Sequence, residues 1–333
     1  MYRLKRLWLD QDTQTKKQWQ KLMDTAGLDP DEEVGYTAGI YDKDRLVATG
    51  SFLGNILKGI AVCQKYQSEN LLTRLMGHLL EKMREEGVHH QFVYTKPENE
   101  LIFHSLGFQE ILVTEELVFM EIGAPDFRQY RQMLEQAKKG EDGSAIVMNA
   151  NPFTKGHQYL IEKAAEQSEH VYVFVLSEDR SAFSSAERLA MVKLGVAHLK
   201  NVSVLPTNDY LVSSAIFPAY FLKENAPHDV AHVQAKLDAQ LFKEKLAPIL
   251  AIRKRYVGEE PLSEVTAIYN QMMREVFHPE IELVVLPRLR AQGEIISATR
   301  VRKALEEKDW SILTAFLPET TLDYLEKHKK IER

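Results

Sequence analysis

Thr154, Gly156 and His157 stand where an apolar strand runs into a helix, in the segment SAIVMNANPFTKGHQYLIEKA at 144–164. A helix N-terminus carries unpaired N–H groups and the positive end of the peptide dipole, so it attracts phosphate. A histidine in that first turn can donate to a phosphate oxygen and stabilise charge on a transferring group. Transfer at phosphorus needs no attack by a side chain; positioning and electrostatics suffice. Taken alone, T-x-G-H reads equally well as a helix cap beside an ordinary surface histidine.

A second segment, GEIISATRVRKAL at 293–305, again sets hydroxyl residues just before a helix. Ser297 and Thr299 can cap it and donate to phosphate. Arg300 and Arg302 add permanent charge in a fork that matches phosphate. A third, RYVGEEP at 255–261, closes a strand with glycine and acids. Backbone at Gly258 could approach an adenine or ribose, and Glu259 could bind hydroxyls. There is no G-x-x-x-x-G-K-[ST], so the cradle is not a P-loop.

T-x-G-H followed far downstream by I-S-A-T-x-V-R resembles the nucleotidyltransferase superfamily marked by H-x-G-H or T-x-G-H and I-S-S-T-x-I-R motifs. Ala298 replaces a serine and Val301 an isoleucine. A wider set of segments resembles the citrate lyase ligase family across the whole chain: NPFTKGHQYLIEKA, FVLSEDRSAFSSAERLAMVKLG, SSAIFPAYFLK, KRYVGEEP with YNQMM, and ISATRVRKAL. That resemblance implies an ATP-dependent acid–thiol ligase with Mg²⁺ as helper. Acetate would be adenylated with loss of pyrophosphate. The thiol of the phosphoribosyl-dephospho-CoA arm on the acyl-carrier subunit of citrate lyase would then take the acetyl group and release AMP. It implies His157, Thr154 and Arg302 as catalytic residues. Asn149, Phe153, Gly156, Gly258, Glu259, Ser297, Thr299 and Arg300 complete the ATP site. The rival readings are a small-molecule adenylyltransferase and a non-catalytic nucleotide-binding regulator.

These residues need a scaffold, and the second half supplies one. Strand patterns at Ser144–Asn149, Val171–Leu176, Val202–Leu205, Ile249–Val257 and Ile281–Leu286 alternate with helical ones. The helices are expected at 156–167, 185–199, 217–225, 234–246, 264–277, 298–308 and 319–329. Such alternation predicts a Rossmann-like parallel sheet covered on both faces, with ligands beyond the strands' carboxyl ends.

The first half reads as α+β. A hairpin at 39–52, a strand at 60–62, a long helix at 71–86, a strand at 92–95, a short helix at 99–106 and a final strand at 111–122 follow in order. This order, with NELIFHSLGF at 99–108, resembles the GCN5-related acetyltransferase fold. In that fold a glycine-rich segment opens the long helix and holds the pyrophosphate of coenzyme A. Here the aligned residues run Lys65 to Asn70, with Ser68 and Asn70 in the glycine positions and Glu69 adding negative charge. The expectation is an acetyltransferase-like domain that recognises a partner or its CoA-like arm. The domains are expected at 1–124 and 144–333, with 125–143 as linker.

Composition fits this picture. The 333 residues favour two domains, and a net charge of −6 argues against nucleic acid as partner. A lone Cys63 excludes an internal disulfide and suits a reducing compartment. The polar N-terminus and the lack of any 18-residue apolar run predict a cytoplasmic protein without membrane association. His89 and His90 point opposite ways in a strand, and His228 and His232 follow Pro227 and lack further ligands, so no protein-held metal centre is expected.

Overall fold

A computed structural model describes residues 2–29, 33–67, 69–177, 181–211, 227–259 and 264–331. The chain divides into two units. The first runs from the N-terminus to Tyr130 and takes in 227–233; the second holds the remainder.

In the first unit, β1 (Arg3–Arg6) and α1 (Thr13–Thr25) precede β2 (Tyr36–Asp42), β3 (Arg45–Leu53) and β4 (Ile56–Val62). Next come α2 (Leu71–Glu85), β5 (His90–Thr95), α3 (Glu100–Ser105), β6 (Gln109–Val113) and β7 (Val118–Gly123). The seven strands form one sheet in the order β1-β2-β3-β4-β5-β7-β6. Only β4 and β5 pair in parallel, joined by the α2 crossover. The apolar positions of α2 recur at helical spacing, and Leu75, Leu79 and Met83 are fully buried on the sheet. Gly50 lets that helix approach: a Cβ there would stand 2.8 Å from Leu79. This is the acetyltransferase-like α+β order expected from the sequence.

Two details differ from expectation and one bears on the glycine pattern. β1 and α1 had no assigned pattern. The strand expected at 111–122 is two antiparallel strands, because Thr114 Oγ1 accepts from the N–H groups of Glu116 (3.3 Å) and Leu117 (3.0 Å) and turns the chain. Asn70, in a glycine position of the acetyltransferase pattern, has φ 51°, the left-handed conformation that glycine adopts freely and asparagine tolerates. Ser68 and the helix expected at 217–225 lie outside the described residues.

α4 (Phe127–Ala137) occupies most of the segment expected to be a linker. Beyond it come β8 (Gly143–Met148), α5 (Lys155–Glu166), β9 (His170–Val175), α6 (Ser185–Gly195) and β10 (Val202–Pro206). α7 (Pro227–Leu241) continues into a π-helical turn at Phe242–Leu246, then β11 (Ile252–Gly258), α8 (Glu264–Phe277) and β12 (Glu282–Leu286). A small hairpin, β13 (Arg290–Ala291) and β14 (Glu294–Ile295), leads into α9 (Ala298–Glu307), α10 (Trp310–Phe316) and α11 (Glu319–Lys327). The hairpin and α10 were not anticipated.

The sheet of this unit is wholly parallel, in the order β10-β9-β8-β11-β12. The inner strand β9 is buried on both faces, with all of Val171–Val175 inaccessible, as a covered parallel sheet requires. The strand order reverses between β8 and β11, so a crevice opens beyond their carboxyl ends. Among the described residues, no helix is long and apolar enough to cross a membrane.

Candidate active site

A cavity of about 430 Å³ lies at that reversal point. Its lining begins with Val147, Met148 and Asn149 at the end of β8 and with Val257 and Gly258 at the end of β11. The first turn of α5 and the start of α9 also face it. Two helix N-termini therefore present their unpaired N–H groups to one space.

His157 is set by a capping box. Thr154 is the N-cap of α5, and its Oγ1 accepts the His157 N–H at 3.4 Å. In return the Thr154 N–H donates to His157 Nδ1 at 3.0 Å. Thr154 Oγ1 lies 3.0 Å from the same ring nitrogen. The motif normally places Glu or Gln at this third helical position; here an imidazole does the work. Because Nδ1 accepts, the neutral ring carries its proton on Nε2, which is left as the donor. Burial, helped by the charge of Arg288, lowers the His157 pKa to about 4. The ring keeps some accessible surface where it lines the cavity but is otherwise enclosed by protein. Phe153 stacks against it at 5.9 Å and 17°.

The second segment splits into two functions. Ser297 caps α9 by accepting the Arg300 N–H at 3.2 Å, and with Ile296 and Ala298 it lines the cavity. Thr299, Arg300 and Arg302 do not line it. Arg302 Nη1 donates to the Asn151 carbonyl at 2.7 Å, and its Nη2 to Thr299 Oγ1 at 3.0 Å. It thus ties the start of α9 to the turn before α5. Arg300 sits among Glu294 (3.7 Å), Glu307 (3.7 Å) and Asp309 (3.5 Å).

The other expected residues are distributed in the same way. Gly156 and Gly258 line the cavity. A Cβ on Gly156 would meet its neighbours at 3.5 Å or more, so internal packing does not demand glycine there; its absence keeps the helix start open. Asn149 lines the cavity, but its carbonyl (3.0 Å) and Oδ1 (2.6 Å) accept from buried Arg188. Phe153 is fully buried and packs on Gly195, where any Cβ would overlap its ring. The Glu259 side chain is exposed and off the cavity, while its carbonyl accepts Arg288 Nε at 2.7 Å.

Among the polar residues of the lining that sequence reasoning missed are Arg288, Arg255, Asp238, Tyr269 and Asn270. Arg288 follows the apolar strand β12 by two residues, so it stands at the carboxyl edge where ligands bind; that placement was a readable signal. Arg255 interrupts the apolar strand β11, a weaker signal. Asp238 and Tyr269 come from α7 and α8 and join only through tertiary structure, where the Tyr269 hydroxyl donates to Asp238 at 3.2 Å. Burial raises the Asp238 pKa to about 7, with the tyrosine and Arg255 pulling the other way. Burial lowers Arg255 to about 9, with Asp238 opposing, so Arg255 stays charged at neutral pH.

Chemically, the cavity offers a neutral imidazole donor, two helix N-termini, a serine hydroxyl and guanidinium charge. It suits an anionic phosphate chain and the charge that moves along it. Residues 143–325 match the family model of the citrate lyase ligase C-terminal domain. The chain is 40% identical to the [citrate [pro-3S]-lyase] ligase of Klebsiella pneumoniae, over 85% of its own length and 84% of that protein's. It is 28% identical to the nicotinamide-nucleotide adenylyltransferase of Methanococcus vannielii, over 50% of its own length and 95% of that protein's. Among solved structures it is similar to the ribosomal-protein-S18-alanine N-acetyltransferase of Escherichia coli over 37% of the chain and 94% of that protein, with 16% identity and a TM-score of 0.29. The family match spans the cavity from β8 through α9, and the near relative spans most of both units: the chain belongs to the citrate lyase ligase family.

Proposed function

We propose that the cavity carries out ATP-dependent ligation of acetate to the thiol of the phosphoribosyl-dephospho-CoA arm on the acyl-carrier subunit of citrate lyase. The observation that carries the reading is the convergence of His157, Arg288, Ser297 and two helix N-termini on one space. The name of the near relative supports citrate lyase as the protein acted on. In the first step an acetate oxygen attacks the α-phosphorus of ATP, the bond to the β-phosphate oxygen breaks, and pyrophosphate leaves. In the second the carrier sulfur attacks the acetyl carbon, AMP leaves, and the thiol proton passes to solvent.

His157 Nε2–H donates to the α-phosphate, where negative charge rises in the transition state. Thr154 acts through His157 by fixing its tautomer. Ser297 and Arg288 hold the β- and γ-phosphates, and the backbone of Gly258 and Glu259 lies beside the adenosine. Arg302 and Thr299 hold the turn at Asn151, and Phe153 backs the imidazole. Arg300 stays with its acidic neighbours. The described lining has one carboxylate, Asp238, already bonded to Tyr269. The residues therefore fit Mg²⁺ arriving on the phosphates of ATP, whose charge it would neutralise, better than a protein-held ion.

The same proposal takes residues 144–333 as the adenylating domain, 125–143 as the connection, and 1–124 as the domain that recognises the carrier. It places the protein in the cytoplasm. The test is an AMP-release assay with ATP, Mg²⁺, acetate and deacetylated citrate lyase, each omitted in turn. AMP should appear only with all four present. AMP that stays covalently attached to a phosphate-bearing acceptor would instead mark an adenylyltransferase, and AMP released without the carrier thiol would remove the carrier from the reaction.

A further inference from the structure

One limb of the cavity is not used by the phosphate chemistry. It runs between β11 and the helices α7 and α8, and Arg255 stands in it. Arg255 is 91% buried, and its Nε is buried without a hydrogen-bond partner. Its guanidinium lies over the Phe242 ring, 4.3 Å from the centroid. No carboxylate among the described residues lies within ion-pair distance of it. A buried charged donor left unmade costs stability, and structures normally satisfy such groups. Asn270 lines the same limb, and it is also 91% buried with no hydrogen bond to the described residues. Ala239, Met273 and Phe277 make the walls apolar.

We propose that this limb is the subsite for the acid substrate, with the Arg255 guanidinium and the Asn270 amide holding the carboxylate of a short monocarboxylic acid against apolar walls. The assignment rests on the ligase reading above. A guanidinium fork pairs with a carboxylate through two parallel hydrogen bonds, which fills the need that Arg255 leaves open. The apolar walls accept a methyl group, and the described wall residues Ala239, Met273 and Phe277 offer no second cation to a dicarboxylate. Among the described lining residues, Asp238 is the one carboxylate that would oppose an incoming anion. Burial raises its pKa to about 7, against the pull of Tyr269 and Arg255, so near neutral pH it carries only part of its charge and the opposition is reduced. The limb and the His157 end belong to one cavity, so an acid held here is contiguous with the nucleotide site.

The test compares the full-length protein with Arg255→Met and Arg255→Lys. Acetate-dependent exchange of pyrophosphate into ATP is followed while acetate and ATP are varied separately. Melting temperature is measured with acetate alone and with ATP alone. Arg255→Met should raise the KM for acetate by roughly 10- to 150-fold, the usual worth of a hydrogen bond to a charged group. It should leave the KM for ATP within about twofold and abolish the stabilisation by acetate. Arg255→Lys keeps the charge without the fork and should fall between, so the comparison survives if the methionine variant does not fold. An unchanged acetate KM, or an ATP KM that rises as much as the acetate KM, overturns the subsite. If the unsubstituted protein shows no exchange but is stabilised by acetate through Arg255, the subsite stands and the ligase reading falls.

Discussion

The two nitrogens of His157 are committed to different tasks: Nδ1 accepts from the Thr154 backbone, and Nε2 is left to donate into the cavity. Replacing the ring by alanine should lower turnover by roughly 100- to 1,000-fold, the usual cost of one transition-state donor, with circular dichroism unchanged. The depressed pKa has a definite sign. Unfolded, the ring binds a proton near pH 6.5; folded, it resists until about pH 4. Stability attached to this group is therefore present above pH 6.5 and lost as pH falls from there through about 4. The Cε1 proton of His157 should show no titration between pH 6 and 8 by NMR, and a midpoint near 6.5 would exclude the neutral donor. Arg288→Gln should raise the KM for ATP at least tenfold. The same variant should move the His157 titration upward, because the Arg288 charge helps hold it down. That second readout separates a phosphate ligand from a merely structural arginine. At this scale T-x-G-H was legible because a capping box is written in four adjacent residues. The tautomer was not, since it depends on which groups enclose the ring, and Arg288 contributes from 131 residues further along the chain.

Elements with long apolar periodicity, such as α2 and the inner parallel strands, were readable from the sequence alone. Those without it were not. α1 buries only Thr15, Trp19, Leu22 and Met23 from a polar stretch, and β1 is an exposed edge strand of sequence RLKR. The turn that splits β6 from β7 rests on the Thr114 hydroxyl inside what looks like one apolar run. The short α10 is started by Asp309, whose side chain caps Ile312 N–H at 3.2 Å. Helix starts also carry a test of the site. Thr154→Ser keeps the cap and should retain most stability and activity. Thr154→Ala removes the hydroxyl and should cost about 1 kcal/mol in urea unfolding. It should also slow the reaction by about tenfold, because the imidazole loses one of its restraints while the backbone N–H to Nδ1 remains. Equal activity in the serine and alanine variants would mean that the cap serves the helix only.

At the scale of the whole molecule, the two units carry different amounts of readable chemistry. The second was legible because its T-x-G-H and I-S-A-T segments, far apart in sequence, fall where strand order reverses, and a doubly wound parallel sheet makes that meeting predictable. The limb around Arg255 was not, because its residues come from α7, α8 and β11 and meet only through tertiary structure. In the first unit the order of elements resembles an acetyltransferase while the segment opening α2 does not. A CoA pyrophosphate needs successive backbone N–H groups turned toward it at that helix start, with no side chain or negative charge in the way. Asn70 reproduces the left-handed backbone that a glycine would supply, yet it brings a side chain, and exposed Glu69 stands next to it. Burial, and after it the Glu69 carboxylate, raises the Tyr2 hydroxyl pKa. At Asn70 the left-handed backbone is thus present, while the side chain and the neighbouring carboxylate oppose an anionic pyrophosphate. The full-length chain should therefore bind free acetyl-CoA no more tightly than millimolar by isothermal titration and should transfer no acetyl group from it to amines. Recognition of the carrier would then run through its protein surface or the thiol end of its arm. Micromolar binding of acetyl-CoA, weakened by substitution of Asn70 or Glu69, would restore the acetyltransferase cradle and overturn this assignment of the first unit.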